Sequence, residues 1–152
     1  HLYEQGDLHR IEFGAFLTEL CQSIMATFCQ DSTEIKLSVD ADTLHCDIDV
    51  AMPLGLITNE LMTNVFKHGF RDHQRGEIKV TLKRHDDAVV LSVSDTGVGC
   101  LDSSQCVTEM TTQGIGTTLI KELVRQIEGE FILMQDITGT TARVRIPIHG
   151  FR

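Results

Sequence analysis

The stretch Asn59-Glu60-Leu61-Met62-Thr63-Asn64-Val65-Phe66-Lys67-His68-Gly69-Phe70 decides how the chain is read, because helical spacing sorts its residues onto two faces. At 3.6 residues per turn, Glu60, Asn64 and Lys67 fall at i, i+4 and i+7 and form a polar stripe. Leu54, Ile57, Leu61 and Val65 form an apolar row about a third of the way round, which predicts a face that anchors on a core. A carboxylate, a carboxamide and an ammonium in one row suit a hard cation and a polyphosphate, since Mg²⁺ takes oxygen ligands and lysine neutralises phosphate charge. Read alone, the same stripe also fits an ordinary solvated helix face.

Outward from this helix the chain alternates strands and helices. Upstream, apolar residues from Ile11 to Phe28, Phe16 among them, keep helical spacing. Glu34 to Val39 alternates with period two and predicts a strand, with a weaker one near Leu44 to Ile48. Asp49 and Pro53 mark the start of the striped helix and Gly69 its end. Downstream, Glu77 to Arg84 and Ala88 to Asp95 predict a hairpin closed by His85-Asp86-Asp87. A helix from Gly116 to Ile127, stopped by Gly129, precedes strands at Glu130 to Gln135 and Thr140 to Ile148. This order predicts an α+β two-layer sandwich, a mixed and mostly antiparallel sheet with helices packed on one face.

Length and charge narrow the function. The 152 residues, 41% hydrophobic and 23% charged, suit one soluble domain with a full core. Residues 1–10 read as a link from an upstream region and 11–152 as a single domain. A net charge of −9 with scattered basic residues argues against a nucleic-acid partner. No run approaches the roughly 18 apolar residues of a membrane span, so no direct membrane contact is expected. The five cysteines form no C-x-x-C pair and read as reduced thiols of a cytoplasmic protein.

Two further elements carry chemistry. In the strand that ends Ser94-Asp95-Thr96-Gly97-Val98-Gly99, period two places Val89, Leu91, Val93 and then Asp95 on the buried face. A buried acid needs a donor, and the amino group of a purine would supply one, with the glycines letting the backbone approach a flat ring. The alternative for Asp-Thr-Gly is plain turn chemistry. Gly114-Ile115-Gly116-Thr117-Thr118-Leu119 opens the second long helix, whose free N–H groups point toward a phosphate. Rossmann and P-loop fingerprints are absent.

Together these elements resemble the N box, the D-x-G-x-G box and the G-x-G box of the Bergerat-fold ATP-binding superfamily. Gly139-Thr140-Thr141 is similar to the short G-T box that closes that fold, and the resemblance spans roughly Glu34 to Ile148. Within the superfamily, the N-E-L-x-T-N-x-x-K-H pattern resembles the catalytic domain of bacterial sensor histidine kinases. The resemblance implies ATP and Mg²⁺ as cofactors, with Asn64 as metal ligand and Glu60 near the metal through water. It implies Lys67 and His68 facing the phosphates, so that Glu60, Asn64, Lys67 and His68 form the catalytic set. Asp95 would accept the adenine amino hydrogen. Gly97, Gly99, Gly114, Gly116, Ile115, Thr117 and Thr140 would complete the nucleotide pocket, with 100–113 as its lid. The implied partners are a phosphoacceptor histidine domain, which this chain does not contain, and a response regulator. Glu60 stands where many such kinases have an asparagine, a feature shared with hydrolytic ATPases and anti-sigma serine kinases.

Overall fold

The computed structural model describes residues 10–29, 34–69, 75–96 and 115–151, leaving aside the side chains of His68, Ile115, Thr117 and Asp136. In chain order the elements are β1 (Arg10–Glu12), α1 (Phe13–Phe28), β2 (Glu34–Ala41), β3 (His45–Asp47) and α2 (Ile48–Asn64), which runs on as a π-helical turn (Val65–Gly69). Then follow β4 (Arg75–His85), β5 (Ala88–Asp95), α3 (Ile115–Gln126), β6 (Glu130–Asp136), β7 (Gly139–Pro147) and a 3-10 turn (Ile148–Gly150).

Five strands form one sheet in the order β2-β4-β5-β7-β6. β2 pairs parallel with β4, and every other neighbour in that sheet is antiparallel. Period-two alternation puts Ile78, Val80 and Leu82, then Val89, Leu91 and Val93, then Ala142, Val144 and Ile146 on one buried face. The register stacks them in rows, Val80 beside Val93 beside Ala142 and Leu82 beside Leu91 beside Val144. Arg143 and Arg145 point the opposite way and are exposed. The helices cover the apolar face: Phe13, Leu17, Cys21 and Ile24 from α1, Leu54, Ile57 and Leu61 from α2, and Ile120, Leu123 and Val124 from α3 join one core. Each such aliphatic side chain contributes about 1.5–3 kcal/mol when withdrawn from water. The expected two-layer α+β sandwich is the observed fold.

Several boundaries differ, each for a local reason. The first helix starts at Phe13 instead of Ile11, because Ile11 pairs with Cys46 in a separate two-stranded sheet of β1 and β3. Glu12 then caps the helix: its carboxylate accepts from the amides of Gly14 (2.7 Å) and Ala15 (3.1 Å) and also from Leu44 across the chain (3.3 Å). Pro53 lies inside α2, not at its start, and Gly69 ends a π-helical turn, not an α-helix. Phe16 and Phe28, whose helical spacing predicts packing, are each 40% exposed, and so is Leu119 in α3. Ile148 leaves the last strand for the 3-10 turn.

Candidate functional site

The striped helix is held by its apolar row, since Leu54, Ile57, Leu61 and Val65 are all buried. That anchoring leaves Glu60 and Asn64 half-buried and Lys67 exposed. The stripe is continuous only as far as Asn64. From Val65 the backbone widens into the π-helical turn, which carries Lys67 away from the line through Glu60 and Asn64 that an α-helix would have kept. Phe66 stacks on Phe28 at the end of α1, with ring centroids 4.9 Å apart and planes 7° apart, so the turn packs against the first helix. The backbone of His68 lies in the same turn.

Asp95 is where period two placed it, on the helix-covered face at the end of β5, and it is 7% exposed. Among the described residues, Asp95 and Thr58 are the polar side chains in the core; Thr58 is satisfied within its own helix, donating to the carbonyl of Leu54 at 2.9 Å. The register sets Asp95 between Ile78 of β4 and Thr140 of β7. Thr140 lies beside Gln135 of β6, whose Nε2 donates to the Thr140 hydroxyl at 3.4 Å. Asp95, Thr140 and Gln135 thus make a polar row closing one end of an otherwise apolar sheet face.

Two contacts hold that end in shape. The amide of Thr96 donates to the carbonyl of Glu77 at 3.1 Å, and the Thr96 hydroxyl accepts from the amide of Glu77 at 2.9 Å. Gly139 at the start of β7 has φ of +147°, and a Cβ there would lie 1.9 Å from the carbonyl oxygen of Asp95. Sequence reading missed Gln135 as part of the site. Its signal was the step from Phe131 and Leu133 to a polar residue at the same period.

α3 packs beside α2, and α2 also touches β5, so the striped helix lies between the other two chemistry-bearing elements. The backbone of Ile115, Gly116 and Thr117 forms the first turn of α3. Gly97, Gly99 and Gly114, and the expected lid at 100–113, lie outside the described residues. Among the described residues no group of three or more His, Cys, Asp or Glu side chains is arranged for a metal ion. Mg²⁺ bound with a polyphosphate keeps several waters and needs few protein oxygens, and the half-buried Asn64 and Glu60, one helical turn apart, are a donor set that would fit such an ion.

A mixed five-stranded sheet covered on one face by helices, with these motifs at its end, defines a Bergerat-type ATP-binding domain. The chain belongs to the histidine kinase-like ATPase domain family, which it matches over residues 36–146. It is 25% identical over 139 residues to blue-light-activated histidine kinase 2 of Erythrobacter litoralis, covering 91% of this chain and 39% of that protein. An anti-sigma F factor of Shouchella clausii is 24% identical over 151 residues, covering 95% of this chain and 85% of that one. Among solved structures, the histidine kinase domain of the Erythrobacter litoralis blue-light-activated kinase superposes with a TM-score of 0.78 at 25% identity, over 91% of this chain and 66% of that one. The mycobacterial sensor histidine kinase MprB shares the fold, with a TM-score of 0.69 at 16% identity over 91% of this chain and 95% of that one. The chain therefore spans 39% of the length of that curated kinase, and what it shares with it is the ATPase-domain module.

Proposed function

We propose that this domain binds Mg·ATP and transfers the γ-phosphoryl group to a histidine on a separate phosphoacceptor domain, for relay to a response regulator in a cytoplasmic two-component system. The observation that carries the nucleotide reading is the buried carboxylate of Asp95 in its polar row with Thr140. A carboxylate there accepts a hydrogen bond from the adenine amino group and meets a carbonyl in guanine, so it discriminates between the two bases. Asn64 would hold the cation through its carboxamide oxygen, and Glu60 would act on it through water. In this reading Lys67 and His68 would face the phosphates, and Gly97, Gly99, Gly114 and Gly116 with the first amides of α3 would let the triphosphate approach the backbone. A bound Mg²⁺ would supply charge neutralisation for the phosphates. The chain's own work is positioning, which suits a site of few charged groups.

A second reading is an anti-sigma serine kinase, favoured by the 85% coverage of the Shouchella clausii protein and by the glutamate at position 60. Nucleotide titration tests what both readings share. ATP should bind at least about tenfold tighter than GTP, the loss expected when a buried acceptor faces a carbonyl. Asp95→Ala should lose nucleotide binding while keeping a cooperative melt. Equal affinity for the two nucleotides contradicts the assignment of Asp95.

A further inference from the structure

The pair Gln135 and Thr140 stands one step in from the turn that joins β6 to β7. Asp136 pairs with Gly139 across Ile137 and Thr138 alone, so the hairpin closes tightly and its register sets the next pair inward. β6 brings Phe131 and Leu133 half-buried to the helix-covered face, and the same alternation turns Gln135 to that face. A polar side chain in this apolar file has a partner there: its Nε2 donates to Thr140 Oγ1 at 3.4 Å. On the other side of Thr140 the register places Asp95. Three strands thus set an amide, a hydroxyl and a carboxylate side by side at one end of the face.

These groups differ in what they can offer a ligand. A carboxylate only accepts, whereas a hydroxyl carries one proton and two lone pairs and takes its role from its neighbours. Because Gln135 gives a proton to Thr140 Oγ1, the hydroxyl's own proton points away from Gln135. Among the described residues the Thr140 hydroxyl makes no second hydrogen bond, so that proton stays available beside Asp95. Adenine presents an amino donor and, next to it, the ring nitrogen N1 as an acceptor. Guanine presents a carbonyl and an N1–H in the same two places. An acceptor at Asp95 with a donor at Thr140 matches the first base at both points and opposes the second at both.

We propose that Gln135 is a positioning residue for base recognition: by donating to Thr140 it holds that hydroxyl as a donor toward adenine N1, directly or through one water. This rests on the ATP reading of Asp95, and the test separates the two. The 152-residue chain is titrated with ATP and with 1-deazaadenosine 5′-triphosphate, in which a C–H replaces N1 and the amino group stays. Gln135→Glu and Gln135→Met are titrated in the same way, at about pH 8 so that a glutamate is ionised, and all three proteins are melted. The wild type binds ATP roughly fivefold tighter than the analogue, the ratio a neutral hydrogen bond contributes. Gln135→Glu keeps the side chain's shape but can only accept, so it draws the Thr140 proton to itself, turns lone pairs toward N1 and brings the ratio to about one or below. Gln135→Met, which neither donates nor accepts as an amide does, gives an intermediate ratio. A side chain that only packs would change both affinities alike, so an equal ratio in all three proteins overturns the proposal. If Gln135→Glu loses its cooperative melt, the ratio in Gln135→Met decides. Equal binding of ATP and analogue by the wild type also overturns the proposal and leaves the ATP reading standing on its preference over GTP. Binding of neither nucleotide removes that reading and the proposal with it.

Discussion

Gly139 lies against the backbone of Asp95 so closely that no side chain fits between them: a Cβ would sit 1.9 Å from the Asp95 carbonyl oxygen, at a φ of +147°. The residue that opens β7 thereby sets the position of the carboxylate that ends β5. Gly139→Ala should lower stability by at least about 2 kcal/mol, the range expected for forcing a side chain into disallowed backbone and a steric clash. Because relief of the clash displaces Asp95, ATP affinity should fall with it. Denaturant melts and ATP titration check both, and a variant with wild-type stability and affinity contradicts this coupling.

Asn64→Ala should act on a different part of binding. In the proposed site its carboxamide oxygen would be a ligand to the cation, so removal should weaken the Mg²⁺-dependent gain in ATP affinity by about tenfold while adenine selectivity persists. Calorimetric titrations with and without Mg²⁺ measure the difference directly. An unchanged metal-dependent gain reduces the polar stripe to a solvated face.

Two cysteines predict an alkaline limit to stability. Burial pushes the Cys21 thiol up to about 12, and burial, followed by the nearby Asp47 charge, pushes Cys46 up to about 11, from an ordinary value of 9.0. Below pH 9 both states hold these protons. Above it the unfolded chain releases them first while the folded chain keeps them, so stability falls as pH rises from about 9 through 11 and 12. Denaturant midpoints measured from pH 8 upward should drop, with a shallower slope in Cys21→Ala. A midpoint flat to pH 11 contradicts the burial of these thiols.

The sequence made the sheet and Asp95 legible for one reason: period-two alternation fixes which way a strand residue faces, and nothing in tertiary packing overturned it. Val89, Leu91 and Val93 lead to a buried Asp95 because parity admits no other answer. The helices were legible in existence and less so in detail. Helical spacing in Phe16 and Phe28 signalled an apolar side chain, but whether another element covers it depends on neighbours that spacing does not encode. The π-helical turn at Val65–Gly69 has no local composition cue, and its Phe66 stacks on Phe28, a contact between residues far apart in sequence that spacing does not encode. The end of α3 shows the same limit. Gly129 looked like the stop, yet Glu128 takes the left-handed position with φ of 57°, while the Gly129 amide donates to the Val124 carbonyl at 2.9 Å in a Schellman arrangement. Glycine serves there because a Cβ would lie 2.9 Å from the carbonyl oxygen of Arg145.

The central claim is that the γ-phosphoryl group of ATP reaches a histidine. γ-Labelled ATP should be incubated with the 152-residue chain alone, then with a phosphoacceptor histidine domain supplied in cis or in trans, and the stability of the labelled bond examined. The expected result is no label on the isolated chain and acid-labile, base-stable phosphohistidine when the acceptor domain is present. Acid-stable phosphoserine on a partner, or rapid ATP hydrolysis by the isolated chain without transfer, would contradict it.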